Sequence, residues 1–262
     1  MEQPKILILD IETAPTLGYV WGMFDQNLSP SQVVQEGYVL CWSAKWLGNK
    51  EVMFDSIFNY RKNFKNNPTD DSLVAKTIWK LLDEADIVVA HNGDNFDLKW
   101  LNTIFLKNHL PPVSSYKSID TLKEAKNNFR FLSNKLEHLV KSLGVGEKMK
   151  NEGFSLWPKC MSGDPVAWKQ MELYNKRDII ILENLYLGMK PFMKHHPKFG
   201  LFVNEELQIC NICGSKNLKK KGFAYTSINK YQRFICDDCG ASSRSRSSVL
   251  SKDKRQSINN NC

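Results

Sequence analysis

The 262-residue sequence predicts an α/β fold: a five-stranded mixed sheet with helices packed against it, followed by a small cysteine-bearing module. Three observations predict it. Hydrophobic patterning through residues 5–190 alternates short extended runs with helical stripes, in the order β-β-β-α-β-α-β-α-α-α. A composition of 42% hydrophobic and 24% charged residues is that of a globular chain, long enough for one sizeable domain and a small one. Four cysteines, Cys210, Cys213, Cys236 and Cys239, stand in two tight pairs toward the C-terminus.

The elements follow in order. Residues 5–14 read KILILDIETA, an apolar strand whose end carries Asp10 and Glu12. Residues 38–47 (YVLCWSAKWL) and 51–58 (EVMFDSIF) are two more extended runs, and an antiparallel set of three is the simplest arrangement. Between the first strand and 38–47, residues 15–30 (PTLGYVWGMFDQNLSP) mix turn formers with aromatics and read as a loop. Residues 69–86 place Leu73, Ile78, Leu81 and Leu82 on one helical stripe, with acids in the first turn. IVVAHNG at 87–93 is a short buried strand ending in turn residues, and 95–110 is a helix stopped by Pro111 and Pro112. KSID at 117–120 is a brief strand leading into a helix near 121–129, and 134–145 is a helix closed by Gly144. Residues 145–163 read as irregular. A long helix then covers 164–189, with Pro165 near its start, where proline is tolerated. The expected domains are 1–190, a linker at 191–205, the cysteine module at 206–242 and a basic, disordered tail at 243–262.

The net charge of +8 is uneven. Residues 1–205 hold 25 basic and 24 acidic side chains, whereas 206–262 hold 11 and 4. A basic excess confined to the C-terminal part suits a polyanion such as nucleic acid, or else a solvated tail. No run approaches the roughly 18–20 apolar residues that span a bilayer, so no membrane partner is expected. The N-terminus enters the first strand without a leader, so a cytoplasmic location is expected, in a bacterium or, for a virus-encoded chain, in its host. Cys41 and Cys160 are isolated and read as small buried hydrophobes, and Cys262 as incidental. The histidines at 195 and 196 read as ordinary polar residues of the linker.

Asp10 and Glu12 alternate on a strand and therefore share a face. Asp97 opens the helix after IVVAHNG. Tyr174 and Asp178 lie one turn apart on the last long helix and point the same way. If the first strand and the 87–93 strand are neighbours, their C-terminal ends open on one crevice, where open α/β sheets place ligands. Four acids there would repel one another unless divalent metal, Mg²⁺ or Mn²⁺, sat between them. Two such ions roughly 4 Å apart can clamp the attacking and leaving oxygens of a phosphodiester. Each acid alone has an ordinary reading, as a strand end, a helix-start acid or a solvated helix residue, and Tyr174 alone reads as core; only the set points to metal.

That set resembles the DnaQ-like 3′–5′ exonucleases of the RNase H-like superfamily, the DEDD nucleases. LDIET with Asp10 and Glu12 resembles their first motif, HNGDNFD with Asn92, Phe96 and Asp97 their second, and YNKRD with Tyr174 and Asp178 their third. The histidine variant would need histidine where Leu173 stands, so the sequence is similar to the tyrosine (DEDDy) branch. The resemblance covers roughly residues 1–190 and implies a three-layer RNase H-like fold. It implies that Asp10 bridges two metals, that Glu12 and Asp178 hold the one that activates water, and that Asp97 helps hold the other. It implies that Tyr174 orients that water and that nucleoside 5′-monophosphates leave from a 3′ end. Thr13 and Ala14 resemble residues that receive the terminal nucleotide, with Asn92 and Phe96 in support; His91 and Arg177 stand next to the motifs. Tyr19, Trp21 and Phe24 could stack bases or could pack their loop onto the domain.

CNIC at 210–213 and CDDC at 236–239 are separated by 22 residues, and Gly214 and Gly240 follow each pair. The pattern resembles a zinc ribbon holding one structural Zn²⁺ on four thiolates. Its spacer interleaves aromatics with Lys219, Lys220, Lys221, Lys230 and Arg233, candidate phosphate contacts; a stabilising appendage or a protein-docking module is the alternative. The functional expectation is a monomeric, metal-dependent 3′–5′ exonuclease acting on DNA, with replication or repair proteins as candidate partners. An RNA-trimming exonuclease of RNase D type and a non-catalytic nucleic-acid-binding protein on a nuclease fold are the alternatives.

Overall fold

The apolar run at the N-terminus becomes the centre of the sheet. The computed structural model describes residues 3–149, 152–202 and 208–258. The chain divides into two units, Lys5–Tyr186, and Leu187–Cys262 with Met1–Pro4. Cys262 lies outside the described residues.

In the larger unit, β1 (Ile6–Thr13) is followed by a short arm of β2 (Leu17–Gly18) and β3 (Val33–Gln35), then β4 (Val39–Trp46) and β5 (Met53–Ser56). Helices α1 (Arg61–Asn66) and α2 (Ser72–Glu84) lead to β6 (Ile87–Ala90), α3 (Asp97–Lys107), β7 (Lys117–Asp120), α4 (Thr121–Asn128) and α5 (Leu136–Leu143). Helix α6 (Leu156–Met161) and the long α7 (Pro165–Met189) complete the series. The sheet has five strands in the order β5-β4-β1-β6-β7, antiparallel from β5 to β1 and parallel from β1 to β7. This is the mixed, helix-flanked sheet that the patterning predicts. Leu7, Leu9 and Ile11 join a core cluster with residues of α2, α3 and α7, and Ile6 and Ile8, on the opposite face, are equally buried. Both faces are therefore covered, which is why β1 reads as a continuous apolar run.

Some local expectations change. The 15–30 segment is not all loop, because Leu17–Gly18 pairs with Val33–Gln35 to form the arm. The stripe that α2 buries is Val74, Ala75, Ile78 and Leu82, with Leu73 and Leu81 at its margin. Asp70 and Asp71 precede the helix; Asp71 accepts a hydrogen bond from the Val39 amide at 3.1 Å and so ties α2 to β4. Residues 145–163 are not irregular throughout, since α6 lies within them. Pro158 disguises it, but proline is tolerated in a first turn, where the amide has no helical partner.

The smaller unit holds β8 (Leu218–Tyr225), β9 (Lys230–Cys236), β10 (Ser242–Arg244) and α8 (Lys252–Gln256), the strands ordered β10-β9-β8. Part of the tail expected to be disordered is thus an edge strand. Beyond it, the Ser245 amide donates to Gln232 O at 2.8 Å and the Val249 amide to Lys230 O at 2.8 Å, covering the edge of β9. The linker is also structured: His196 and Phe199 are buried and stacked at 6.0 Å, and the Phe199 amide donates to Asn211 O at 2.9 Å. Among the described residues, no helix is long and apolar enough to cross a membrane.

One buried ion pair fixes α7 to the sheet. Lys45 on β4 bonds Glu183, with side chains 11% and 10% exposed, and Glu183 also accepts from the Gly48 amide. Replacing Lys45 alone strands a desolvated carboxylate, so Lys45→Met should cost about 3 kcal/mol in urea unfolding. The double variant Lys45→Met with Glu183→Met should recover most of that loss.

Candidate active site and metal centres

β1 delivers its two acids by strand geometry. Across the β1–β4 ladder, Asp10 faces Ser43 and Glu12 faces Cys41, small side chains that leave room beside the carboxylates. The register slips between Glu12 and Thr13, a bulge that ends the alternation. Ala14 then turns into the core at 2% exposure, its amide donating to Tyr38 O at 2.8 Å.

β6 is parallel to β1, so its C-terminal end opens beside Asp10. The chain turns sharply there. Asn92 takes a left-handed conformation (φ 64°), and a Cβ on Gly93 would sit 2.4 Å from that of Ala90, so only glycine fits the turn. The turn sets Asp97 as the first residue of α3, 2% exposed, where its Oδ1 accepts the Ile11 amide at 3.0 Å. Asp120 braces the same turn by accepting the Asn92 amide at 2.9 Å.

Helix α7 supplies the third wall. Asp178 is 3% exposed, and ligand oxygens of Asp10, Glu12 and Asp178 all lie within 4.8 Å of one another. Asn175, one residue after Tyr174, donates Nδ2–H to Asp10 Oδ2 at 2.6 Å. Tyr174 is buried, with its ring edge-on to Trp157 of α6, and Trp157 donates Nε1–H to Glu12 Oε2 at 3.2 Å. These acids line a cavity of about 620 Å³ together with Asn92, Phe96 and Asp97. Its far side carries Lys126, Asn134 and Lys135.

The site is electrostatically uncomfortable. Burial, then repulsion from Asp97, Glu12 and Asp178, holds Asp10 well above the carboxylate range. Glu12 is pushed up to about 8 by burial and by Asp178, and Asp97 up to about 7 by burial. Burial raises Asp178 as well, against the pull of Lys148. Asp55, a buried acid elsewhere in the sheet, shows what a structural carboxylate looks like. It accepts from the Ser56 amide, Asn59, Tyr60 and Thr77, all within 3.0 Å. Asp178 by contrast leaves Oδ1 buried and without a hydrogen-bond partner among the described residues. Three converging carboxylates with an unsatisfied buried oxygen are a donor set that fits a hard divalent cation.

Lys148 partly compensates. Its ammonium lies 2.9 Å from Asp178 Oδ2 and 4.8 Å from the centre of the Tyr174 ring. Burial works against its charge, but Asp178 and Tyr174 more than offset that and raise its pKa. Arg177 supports this segment by donating Nε–H to Glu147 O at 3.1 Å. His91 lines the cavity with its ring bonded to Thr121 and Asn134.

The structure thus brings Asp10, Glu12, Asp97 and Asp178 to one cavity with Asn92 and Phe96, and sets Tyr174 behind Lys148. Thr13 and Ala14 do not line that cavity. Lys148, which lines the cavity, and Trp157 and Asn175, which donate to two of its acids, are additions to the site. Asn175 stands inside the YNKRD motif, which was the one available signal.

In the smaller unit, Cys210, Cys213, Cys236 and Cys239 place their sulfurs within 4.8 Å of one another. The Cys210–Cys239 and Cys213–Cys236 contacts are 3.6 Å, far beyond a disulfide bond of about 2.05 Å. They are close to the edge of roughly 3.8 Å that a tetrahedral site with Zn–S of about 2.3 Å requires. The Gly214 and Gly240 amides each donate to the first cysteine's carbonyl at 2.9 Å, which makes two matching knuckles. The candidate cations do not share a face. By strand alternation and register, Lys219 and Arg233 lie on one side with Arg244, Lys220 and Lys230 lie on the other, and Lys221 falls in a bulge. Lys219 pairs with Asp237 at 2.8 Å, and Lys230 sits 3.9 Å over the Phe223 ring.

The chain is similar to parts of known proteins. The chain is 24% identical over 215 residues to a PolC-type DNA polymerase III of Ureaplasma parvum serovar 3, covering 78% of this chain and 14% of that protein. The family B DNA polymerase of the hyperthermophilic archaeon Pyrobaculum calidifontis superposes with a TM-score of 0.51 at 14% identity, over 73% of this chain and 26% of that one. The chain therefore spans a small part of either polymerase. The profile of the RNase H superfamily matches residues 45–189, from the end of β4 through α7, and so includes Asp97, Tyr174 and Asp178. With this match over more than half its length, and a β1 that presents its acids to the same cavity, the chain belongs to the RNase H superfamily.

Proposed function

We propose that this protein is a two-metal 3′–5′ exonuclease that hydrolyses phosphodiester bonds at DNA 3′ ends. The observation that carries the reading is the cluster of Asp10, Glu12 and Asp178, whose oxygens converge within 4.8 Å with too few donors to satisfy them. The likeness to DNA polymerases supports nucleic acid as the substrate class. Asp10, Glu12 and Asp178 would hold Mg²⁺ or Mn²⁺, with Asp97 toward a second ion. When bound, the ions would supply Lewis acidity and lower the pKa of a coordinated water. The chain's own groups do the rest. Asn175 fixes the carboxylate plane of Asp10, and Trp157 that of Glu12. Tyr174 orients the attacking water; burial raises its pKa, so it positions and does not act as a base. Lys126 and Lys135 line the same cavity and would face phosphate of the 3′-terminal nucleotides.

The smaller unit is proposed to bind one structural Zn²⁺ through its four cysteines and to add affinity for the strand through its basic strands. A module of this size has little core, so the metal would stabilise it directly.

Three measurements test these assignments. Wild-type protein with Mn²⁺ should shorten 3′-ends of 5′-labelled DNA. Asp10→Asn and Asp178→Ala should each lower that rate by at least about a hundredfold, because the ion loses a ligand. Equal activity in wild type and variants would sink the catalytic assignment, and trimming confined to RNA would replace DNA as the substrate.

The second measurement is thermal unfolding against pH. Between the unfolded carboxylate range, about 4, and about 8, folded Glu12 and Asp97 retain protons that the unfolded chain has released. The unfolded state then binds fewer protons, so metal-free stability should fall as pH rises through this window. Mn²⁺ should restore it, and Asp10→Asn should be at least as stable as wild type without metal. A metal-free Tm that climbs from about pH 5 to about pH 8 would contradict the sign.

The third is metal analysis. Cys236→Ser should reduce bound zinc from one per chain to none and weaken oligonucleotide binding. Full zinc content in that variant would refute the ligand set.

A further inference from the structure

A second groove begins where the main cavity ends. The main cavity is bordered by Phe96, and the neighbouring Asn95 opens a groove of about 340 Å³ along α3. One wall is the exposed face of that helix, Lys99, Thr103 and Lys107, with the half-buried Trp100 at its base. The other wall is Thr16 and Glu36, which flank the β2–β3 arm. We infer that this groove carries the sugar–phosphate backbone of the single strand whose 3′ end lies in the main cavity, with Lys99 and Lys107 as its phosphate contacts. The inference rests on the nuclease reading above and assigns the upstream part of the substrate.

Three features carry it. The first is spacing. Lys99, Thr103 and Lys107 recur every fourth residue, so they form a row along one helix face with steps of about 6 Å. Such a row can follow successive phosphates of an extended strand. The second is charge. Residues 14–35, which include the arm, contain no lysine or arginine, so α3 provides the cationic side of this groove. Lys107 is paired with Glu36 at 2.7 Å, but the two side chains are 60% and 76% exposed. A pair so exposed is worth little, and a phosphate can take the place of Glu36. The third is continuity. Phe96, 39% exposed, lines the main cavity, its chain neighbour Asn95 lines the second groove, and Trp100 lines that groove one turn later, so the two aromatics follow each other along α3. Aromatic faces beside a cationic track are how single strands are held without sequence preference.

The test uses the 262-residue chain carrying Asp178→Ala, so that the probe stays uncut, and fluorescein-labelled oligothymidylates of 3 and 10 nucleotides. Anisotropy is read at several salt concentrations. Lys99→Ala with Lys107→Ala should weaken decamer binding by about tenfold and flatten its salt slope by about 1.4, two contacts at about 0.7 each. Trimer binding should change less than about twofold. A second pair on another exposed surface, Lys62→Ala with Lys65→Ala, removes the same charge from α1. The proposal is overturned if that pair costs the decamer as much, if trimer and decamer lose equally, or if the decamer does not bind the Asp178→Ala chain with its lysines intact. Cleavage is scored separately. A decamer effect in a chain whose native form trims no 3′ end would uphold the groove and defeat the exonuclease reading, and trimming without the decamer effect would do the reverse.

Discussion

Carboxylates crowded into one cavity, where burial and mutual repulsion oppose their charge, set the terms for this protein. At 4.8 Å and an effective dielectric near 20, each charged pair among Asp10, Glu12 and Asp178 repels by roughly 3 kcal/mol. The fold meets that load with rigidity. β1 is central in the sheet and buried on both faces, and α7 is held twice, by Asn175 on Asp10 and by Glu183 on Lys45. Relief of the repulsion is left incomplete. Asn175 and Trp157 each give one bond, Lys148 gives one charge, and Asp178 keeps a buried oxygen with no partner among the described residues. A site built for stability would look like Asp55, with four donors around one carboxylate. Asp55 and Asp178 are both buried, so what distinguishes them is the number of donors and the neighbouring acids, not burial.

Much of this was legible in the sequence because it follows from repeating geometry. Period-two alternation puts Asp10 and Glu12 on one face, and a one-turn separation aligns Tyr174 with Asp178. The parallel pairing of β1 with β6 then brings Asp97 to them. What was not legible depends on single departures from regularity. The bulge after Glu12 turns Ala14 into the core, and no composition signal announces it. Lys148 and Trp157 come from a stretch without periodicity, where Pro158 hides a short helix. They reach the site only because Arg177, α6 and Tyr174 hold that stretch in place.

The cysteine unit gives the same lesson in a smaller frame. Two C-x-x-C pairs are enough to predict four sulfurs around one point, and those sulfurs do converge. Which lysines share a surface was beyond reach, because the bulge between Lys220 and Phe223 changes the alternation partway along β8. The edge pairing of β10 was hidden for a different reason. Residues 242–248 read SSRSRSS, a composition with no apolar face, yet backbone amides and serine hydroxyls suffice to cover the edge of β9.

Helix α3 joins the two grooves of the larger unit in a single rigid element. Its first residue, Asp97, is locked to β1 through the Ile11 amide, so the helix leaves the acidic cluster in a direction fixed by the sheet. Its exposed row then begins two residues later, at Lys99. An acid at the start and cations along the length of one helix give opposite charge to opposite ends of a substrate path. On the proposed reading metal would be drawn to the buried end and phosphate to the exposed one, with Phe96 at the helix start beside the acid. Because one helix carries both, the distance from Asp97 to the first cation is set by backbone geometry and not by side-chain packing. A helix held this way would keep a bound strand, on the proposed reading, in register with the acids.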